Sequence, residues 1–229
     1  MSIITKVILV VAAHPDDEVL GCSGTVARHV SDGDNVHTVF MSDGVTSRSG
    51  VDSNEVEARK QSAKNASNIL GISESPRFLG FPDNRMDTIA LLDIVQTLEQ
   101  VINEIDPEVV YTHHLGDLNI DHQITHQAVL TASRPMPGNT IEAVLNFEVP
   151  SSTEWQFSTS NIPFCPNWFI DISDHLGTKL QALRCYEGEM REWPHARSYQ
   201  SVEHLARSRG ATIGVDSAEA FTLVRMVKK

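Results

Sequence analysis

Four residues able to do chemistry, His14, Asp16, Asp17 and Glu18, stand within five positions in the stretch VVAAHPDDEVLGCSG, residues 10–24. Carboxylates this close raise the cost of ionising one another. A cation, a helix N-terminus or open water must offset that repulsion. Each residue alone has an ordinary explanation: Asp16 or Asp17 caps a helix, and His14 is a hydrogen-bonded core histidine. Together they point further. His14 and Asp17, separated by two residues around Pro15, can turn toward one point, and His122, ending the polar cluster His113–His122, can supply a third ligand. One carboxylate and two imidazoles form a ligand set of hydrolytic zinc, which leaves a position for water and lowers that water's pKa to about 7. A bound cation relieves the crowding of acids, and Asp16 stays free to act as a base.

Elements that would position these residues are legible in the hydrophobic pattern. Lys6 to Ala13 is a short, β-branched aliphatic run, which predicts a strand buried on both faces of a parallel sheet. Helical spacing follows over Gly21–Val30, then a strand over 35–41, a polar loop over 45–54, and a helix over Glu55–Leu70 that Gly71 stops. The cycle repeats: a strand over 77–81 with the turn Pro82-Asp83-Asn84, an amphipathic helix over Thr88–Ile105, a strand over 108–112, a helix over 121–132 and a strand over 141–149. A polar, irregular stretch, 150–166, precedes a helix from Asp174 through Tyr186, a loop at Pro194, a helix over 201–209 and a strand over 220–227. This alternation predicts an α/β fold: a single domain over 1–229, a Rossmann-like sandwich with a mostly parallel central sheet flanked by helices. Ligands in such sheets collect at the carboxyl ends of the strands, where three polar loops fall: His14–Glu18, Pro82–Arg85 and His113–His122. The segments 45–57 and 150–168 are expected to wall the pocket.

Bulk properties narrow the partners. The chain has 229 residues, 41% hydrophobic and 21% charged, which is ordinary for a globular protein. A formal net charge of -12 argues against a non-specific grip on nucleic acid. No segment approaches the roughly 20 apolar residues that span a bilayer, so no membrane partner is expected. The N-terminal apolar run lacks a basic leader and meets acids instead of a cleavage site, which predicts a first strand in a cytoplasmic protein. Cys22, Cys165 and Cys185 form no CxxC pair and read as small buried residues. His29, His37, His175 and His204 read as structural. His126, one turn past His122, offers an HxxxH pair but lacks the glutamate of HExxH.

The pattern AHPDDE after an aliphatic strand, with a later DH at a strand end, resembles the PIG-L/LmbE family of zinc-dependent de-N-acetylases. The likeness continues through NILG (68–71), FLGFPDNRMD (78–87), THHLGDLNIDH (112–122), WPHARS (193–198) and AEAF (218–221). It implies Zn2+ held by His14, Asp17 and His122, with Asp16 as the general base that activates the metal-bound water for attack on an acetamide carbonyl. It implies a small N-acetylated amino sugar or sugar conjugate as substrate, and assembly as a homo-oligomer. Arg59, His114, Asp83 and Arg85 fall where they would contact that substrate. Glu18 and Asp121 stand behind the ligands, Asp121 orienting a histidine or capping a helix.

One position departs from the family. Many members read HxDH where this chain reads Asn119-Ile120-Asp121-His122. The Asn119 amide can donate to an oxyanion, an interaction worth roughly 3 kcal/mol, but cannot give a proton to the leaving amine. That proton must come from His113, His114, His195 or a protonated Asp16. His195, in the loop after Pro194, is expected to complete the site, from the same or a neighbouring subunit. Two alternatives stand beside this reading. One is a sugar-binding or regulatory relative without turnover, which has no use for a spare base. The other is an amidase acting on a thiol-sugar conjugate or an antibiotic intermediate through the same mechanism.

Overall fold

A computed structural model describes residues 5–50, 52–156 and 162–228. The aliphatic run forms β1 (Val7–Ala12), in the interior of a seven-stranded sheet. Its side chains alternate between two cores, Ile8, Val10 and Ala12 facing one layer of helices and Leu9, Val11 and Ala13 the other. With both faces covered, the strand has no use for a polar face.

Beside β1 run β2 (Asn35–Phe40) and then β3 (Arg77–Phe78) on one side, and β4 (Val109–His113) and then β5 (Ala143–Phe147) on the other, all parallel. A long strand, β7 (Ala218–Met226), adds antiparallel to β5, and β6 (Trp168–Asp171) adds antiparallel to β7, giving the order β3-β2-β1-β4-β5-β7-β6. The chain winds outward from β1 in one direction, then crosses back to β4. The switch point between β1 and β4 is where doubly wound sheets open a ligand crevice, and the loops leaving these two strands are His14–Glu18 and His113–His122. The expected mostly parallel α/β sandwich is present. β6 and its pairing were not legible, because four residues between a loop and a helix give no period to read.

The helices α1 (Asp17–Ser31), α2 (Ser53–Leu70), α5 (Leu176–Leu183) and α6 (Tyr199–Ile213) cover one face, and α3 (Leu91–Ile105) and α4 (Ile120–Ala132) the other. Three expectations need correction. The helix predicted from Thr88 starts at Leu91, and Met86–Thr88 form a separate 3-10 turn whose Met86 N–H is held by the Asp121 carboxylate. The helix predicted through Tyr186 ends at Leu183 and tightens into a 3-10 turn, Arg184–Glu189. Of the three cysteines only Cys22 is buried; Cys165, in the loop entering β6, is exposed. Among the described residues no helix is long and apolar enough to cross a membrane.

Helix α1 is broken, and the break bears on the site. Cys22 leaves helical geometry (φ -146, ψ 15), which frees main-chain groups on both sides. The Glu219 carboxylate of β7 accepts from Gly24 N (3.0 Å) and Thr25 N (2.7 Å), capping the second segment. Lys179 of α5 donates to Leu20 O (2.9 Å), closing the first segment, and to Glu219 (2.6 Å). Close packing leaves α1 little freedom to straighten: a Cβ at Gly24 would lie 2.6 Å from Ile172, and one at Gly21 would collide with the Phe147 ring. The Glu219→Ala variant strands two amides and a buried ammonium. It is expected to lose about 3–5 kcal/mol of stability, the usual cost of breaking a buried pair, as read by urea unfolding. A loss under 1 kcal/mol would mean that the break is held by packing alone.

Candidate active site

Asp17, the first residue of α1, is fully buried at the switch point. Its Oδ2 lies 3.2 Å from His14 Nδ1 and 3.2 Å from His122 Nε2, and accepts from His14 N (2.9 Å). The donor atoms of His14, Asp17 and His122 fall within 4.8 Å of one another. Asp17 Oδ1 is buried with no hydrogen-bond partner among the described residues. An unpartnered carboxylate oxygen beside two imidazole nitrogens is what a divalent cation with nitrogen and oxygen ligands requires, so these residues fit the ion that the sequence implied.

Each imidazole is held from behind. His14 Nε2 faces Asp83 Oδ1 (3.3 Å) and Asp121 Oδ2 (3.2 Å). His14, Asp83 and Asp121 also cluster tightly enough for a metal, but these carboxylates are already engaged. Asp121 accepts from Asn84 N (2.6 Å) and Met86 N (3.1 Å), and Asp83 from Ser47 N (2.9 Å) and Ser47 Oγ (2.7 Å). They are better read as acceptors that fix the Nε2–H tautomer and turn Nδ1 toward Asp17. Asp117 faces His122 from behind, with Oδ1 3.1 Å from Nδ1. Asp117 in turn accepts from the hydroxyls of Ser152 and Thr153. His113 stacks on His122 at 3.9 Å, and its Nε2 accepts from Ala13 N (2.8 Å).

Asp16 is built differently. Its φ of 127° is a conformation that L-residues rarely adopt, and its side chain caps nothing, contrary to the simplest expectation for an acid at a helix start. Asp16 N donates to Glu18 Oε2 (3.0 Å), and Tyr186 donates to Glu18 Oε1 (2.7 Å), so Glu18 holds the strained turn. Asp16 Oδ2 accepts from Arg197 (3.0 Å) and lies 3.6 Å from Arg59. Arg59 also donates to Pro15 O (2.9 Å) and pairs with Glu189, which Arg48 clamps from outside. Arg59, expected to contact substrate, is buried against Asp16. A cavity of about 200 Å³ opens beside Arg59, Tyr186 and Glu189. A larger one, about 510 Å³, lies at the other end of β1 and β4, beside Lys6, Val109 and Met226, away from this chemistry.

Burial pushes Asp16 up against the pull of Arg197, and lifts Glu18 to about 8. Burial also presses on His122, but the Asp17 and Asp117 carboxylates outweigh it and raise His122 to about 9. Above pH 6.5, where the histidines that burial holds neutral no longer differ between states, up to about 8 for Glu18 and about 9 for His122, the folded metal-free protein holds protons that the unfolded chain has released. Its stability is therefore expected to fall as pH rises through that window. Urea unfolding of metal-free protein across it provides the check; a rise in stability would contradict both assignments. Metal binding must displace the His122 proton, so metal affinity is expected to rise over the same range.

The remaining expected residues divide. Asn119 caps α4, its Oδ1 accepting from Asp121 N (2.8 Å) while its amide donates to Asn84 Oδ1 (3.1 Å). His114 is buried, its Nε2 3.1 Å from Ile162 O. Arg85 is exposed, and among the described residues its hydrogen bonds are made by its main chain. His195 Nδ1 accepts from Arg197 N (3.0 Å) and its ring meets Trp155 edge-on at 5.6 Å. His126 bonds the carbonyl of His113, not a shared metal with His122. Both expected walls reach the site, Ser47 at Asp83 and Ser151–Thr153 at Arg197 and Asp117. Residues 51 and 157–161 of those segments lie outside the described residues. Sequence reasoning missed Asp117, Tyr186 and Glu189. Asp117 had a signal, an acid five residues before His122; Tyr186 and Glu189 had none.

Residues 9–133 match the PIG-L family model, described as GlcNAc-PI de-N-acetylase. The uncharacterized deacetylase YaiS of Escherichia coli K12 is 35% identical over 185 residues, 78% of this chain and 89% of that protein. The 4-oxalmesaconate hydratase of Pseudomonas putida KT2440 is 29% identical over 237 residues, 93% of this chain and 84% of the hydratase. Among solved structures, the N,N'-diacetylchitobiose deacetylase of Pyrococcus horikoshii superposes with a TM-score of 0.77 at 19% identity, covering 97% of this chain and 85% of that one. That likeness speaks for the fold.

Proposed function

The chain belongs to the PIG-L family, and from that membership we propose that it is a metal-dependent hydrolase releasing acetate from a small N-acetylated amino sugar or its conjugate. The family description, a de-N-acetylase of an N-acetylglucosamine conjugate, supports the bond class. The observation that carries the reading is the division between neighbours: Asp17 faces two imidazoles with one oxygen unpartnered, while Asp16 turns away to Arg197.

His14 Nδ1, Asp17 and His122 Nε2 would hold the ion, and zinc there supplies Lewis acidity toward water and a carbonyl oxygen. Asp16 takes the proton of the attacking water at Oδ1, the oxygen that Arg197 does not hold. Burial strengthens Asp16 as a base and lets it keep that proton until the amine leaves. Arg197 and Arg59 keep the carboxylate aimed, and Glu18 with Tyr186 keeps its backbone in the uncommon turn. His113 Nε2 accepts from Ala13 N, His114 Nε2 lies 3.1 Å from Ile162 O and His195 Nδ1 accepts from Arg197 N, which leaves Asp16 itself to return the proton to the leaving nitrogen.

The test is acetate release from N-acetylglucosamine and its conjugates, with metal content measured in parallel. Activity lost to a chelator and restored by zinc supports the proposal; full activity at zero metal sinks it. A second reading, addition of water to a carbon–carbon double bond, has in its favour the hydratase similarity over 93% of the chain. Loss of alkene absorbance from an unsaturated polycarboxylate, with no acetate released from any sugar, would select it.

A further inference from the structure

Leu118, Trp155 and Ile162 are 53%, 41% and 45% exposed, and none packs into a core cluster. Single apolar side chains are ordinary on a surface. These three, however, hang from adjoining backbone that also builds the centre. Leu118 N and Trp155 N both donate to one carbonyl, Ser152 O (3.4 and 3.3 Å), and the Ser152 hydroxyl donates to Asp117, which backs His122. The Ile162 carbonyl meets His114 and lies so near Gly116 that a Cβ there would collide with it, so residue 162 runs against the loop between His114 and Leu118. On its other side, the Trp155 ring meets His195, whose Nδ1 accepts from the residue that holds Asp16.

The surroundings of Asp16 are thus uneven. Arg48, Arg59 and Arg197 gather around Glu189 and Asp16. Leu118, Trp155 and Ile162 expose apolar surface on turns that also touch Arg197, Asp117 and His114 and are fixed by hydrogen bonds. Exposed apolar side chains gathered on adjoining turns beside a site are the makings of a binding surface, and an indole offers a flat face for stacking. Because this patch adjoins the proposed base, its natural occupant is a part of the substrate that does not react.

We propose that Leu118, Trp155 and Ile162 form an apolar lip receiving an aryl or alkyl group that the N-acetylated substrate carries outside its acetamide. This specificity rests on the deacetylase reading above, so binding and turnover are measured separately. The probes are free N-acetylglucosamine and its phenyl and cyclohexyl glycosides, applied to the zinc-loaded full chain and to W155A, W155F and L118S. By calorimetry the wild type is expected to bind the phenyl glycoside about tenfold tighter than the free sugar, the low end of discrimination by apolar contacts. The same preference should appear in kcat/KM through KM. In W155A the ratio falls to near one, in L118S it falls part of the way, and W155F keeps most of it. Equal binding of glycoside and free sugar by wild type, no binding of either, or a preference that survives in W155A overturns the lip. A binding preference lost in W155A, without acetate release from any of the three compounds, leaves the lip standing and overturns the deacetylase reading.

Discussion

Replacing Asp16 with asparagine is expected to lower kcat for acetate release by about 10²–10⁴, the usual worth of a positioned base, while the protein keeps its full metal content. The expectation follows from where Asp16 sits. Its carboxylate is outside the His14–Asp17–His122 group, so the ion loses no ligand. Asparagine can still accept from Arg197, and its side chain suits positive φ nearly as well as aspartate does, so the turn at φ 127° persists. The ability to take a proton is removed, together with the charge that faces Arg197 and Arg59. Alanine is a poorer probe, because it leaves the Arg197 guanidinium without the acceptor it now reaches at 3.0 Å. Steady-state kinetics with metal analysis of the same samples decides the matter, and an unchanged kcat would move the base elsewhere.

Asp17→Asn is expected to do the reverse, removing the metal itself. The carboxylate is the one anionic member of the proposed ligand set. Since whole zinc sites contribute roughly 10–16 kcal/mol, losing one ligand of a few should weaken affinity by about 10²–10³. Asp117→Asn, which weakens the charged contact behind His122 along with the hydrogen bonds from Ser152 and Thr153, should cost about 10–100-fold. Competition against a chromophoric chelator reads both. Excess zinc should restore acetate release in the Asp117 variant but not in the Asp17 variant. If Asp83→Asn proves more damaging to affinity than Asp17→Asn, the ion belongs on the other side of His14.

The two variants also separate what was readable in the chain from what was not. His14, Asp17 and His122 were legible because they follow aliphatic strands, and a parallel sheet brings the ends of such strands together. The first turn of α1 was not legible. Its acids interrupt the apolar period, so the helix pattern begins at Gly21, close to where the Cys22 break divides the helix. Asn119 was read as an oxyanion donor from its place in a motif; in the structure its local hydrogen bonds make it a helix cap, a role that asparagine fills on many helices. Arg59 carried no sign of burial on the polar helix α2, because its partners, Asp16 and Glu189, lie far from it along the chain. Contacts across such separations leave no period and no spacing to read.

Those long separations divide the chain's labour in two. All three proposed ligands lie within residues 9–133, the span that the family shares as a recognisable signature. Arg59 apart, the groups that hold Asp16, its supporting Glu18 and the break in α1 are Arg197, Tyr186, Lys179 and Glu219, all outside that span. Substitutions in the later segment can thus retune Asp16, the proposed base, while every proposed ligand stays in place. Resemblance over the signature alone therefore speaks for the proposed ligands more than for the chemistry.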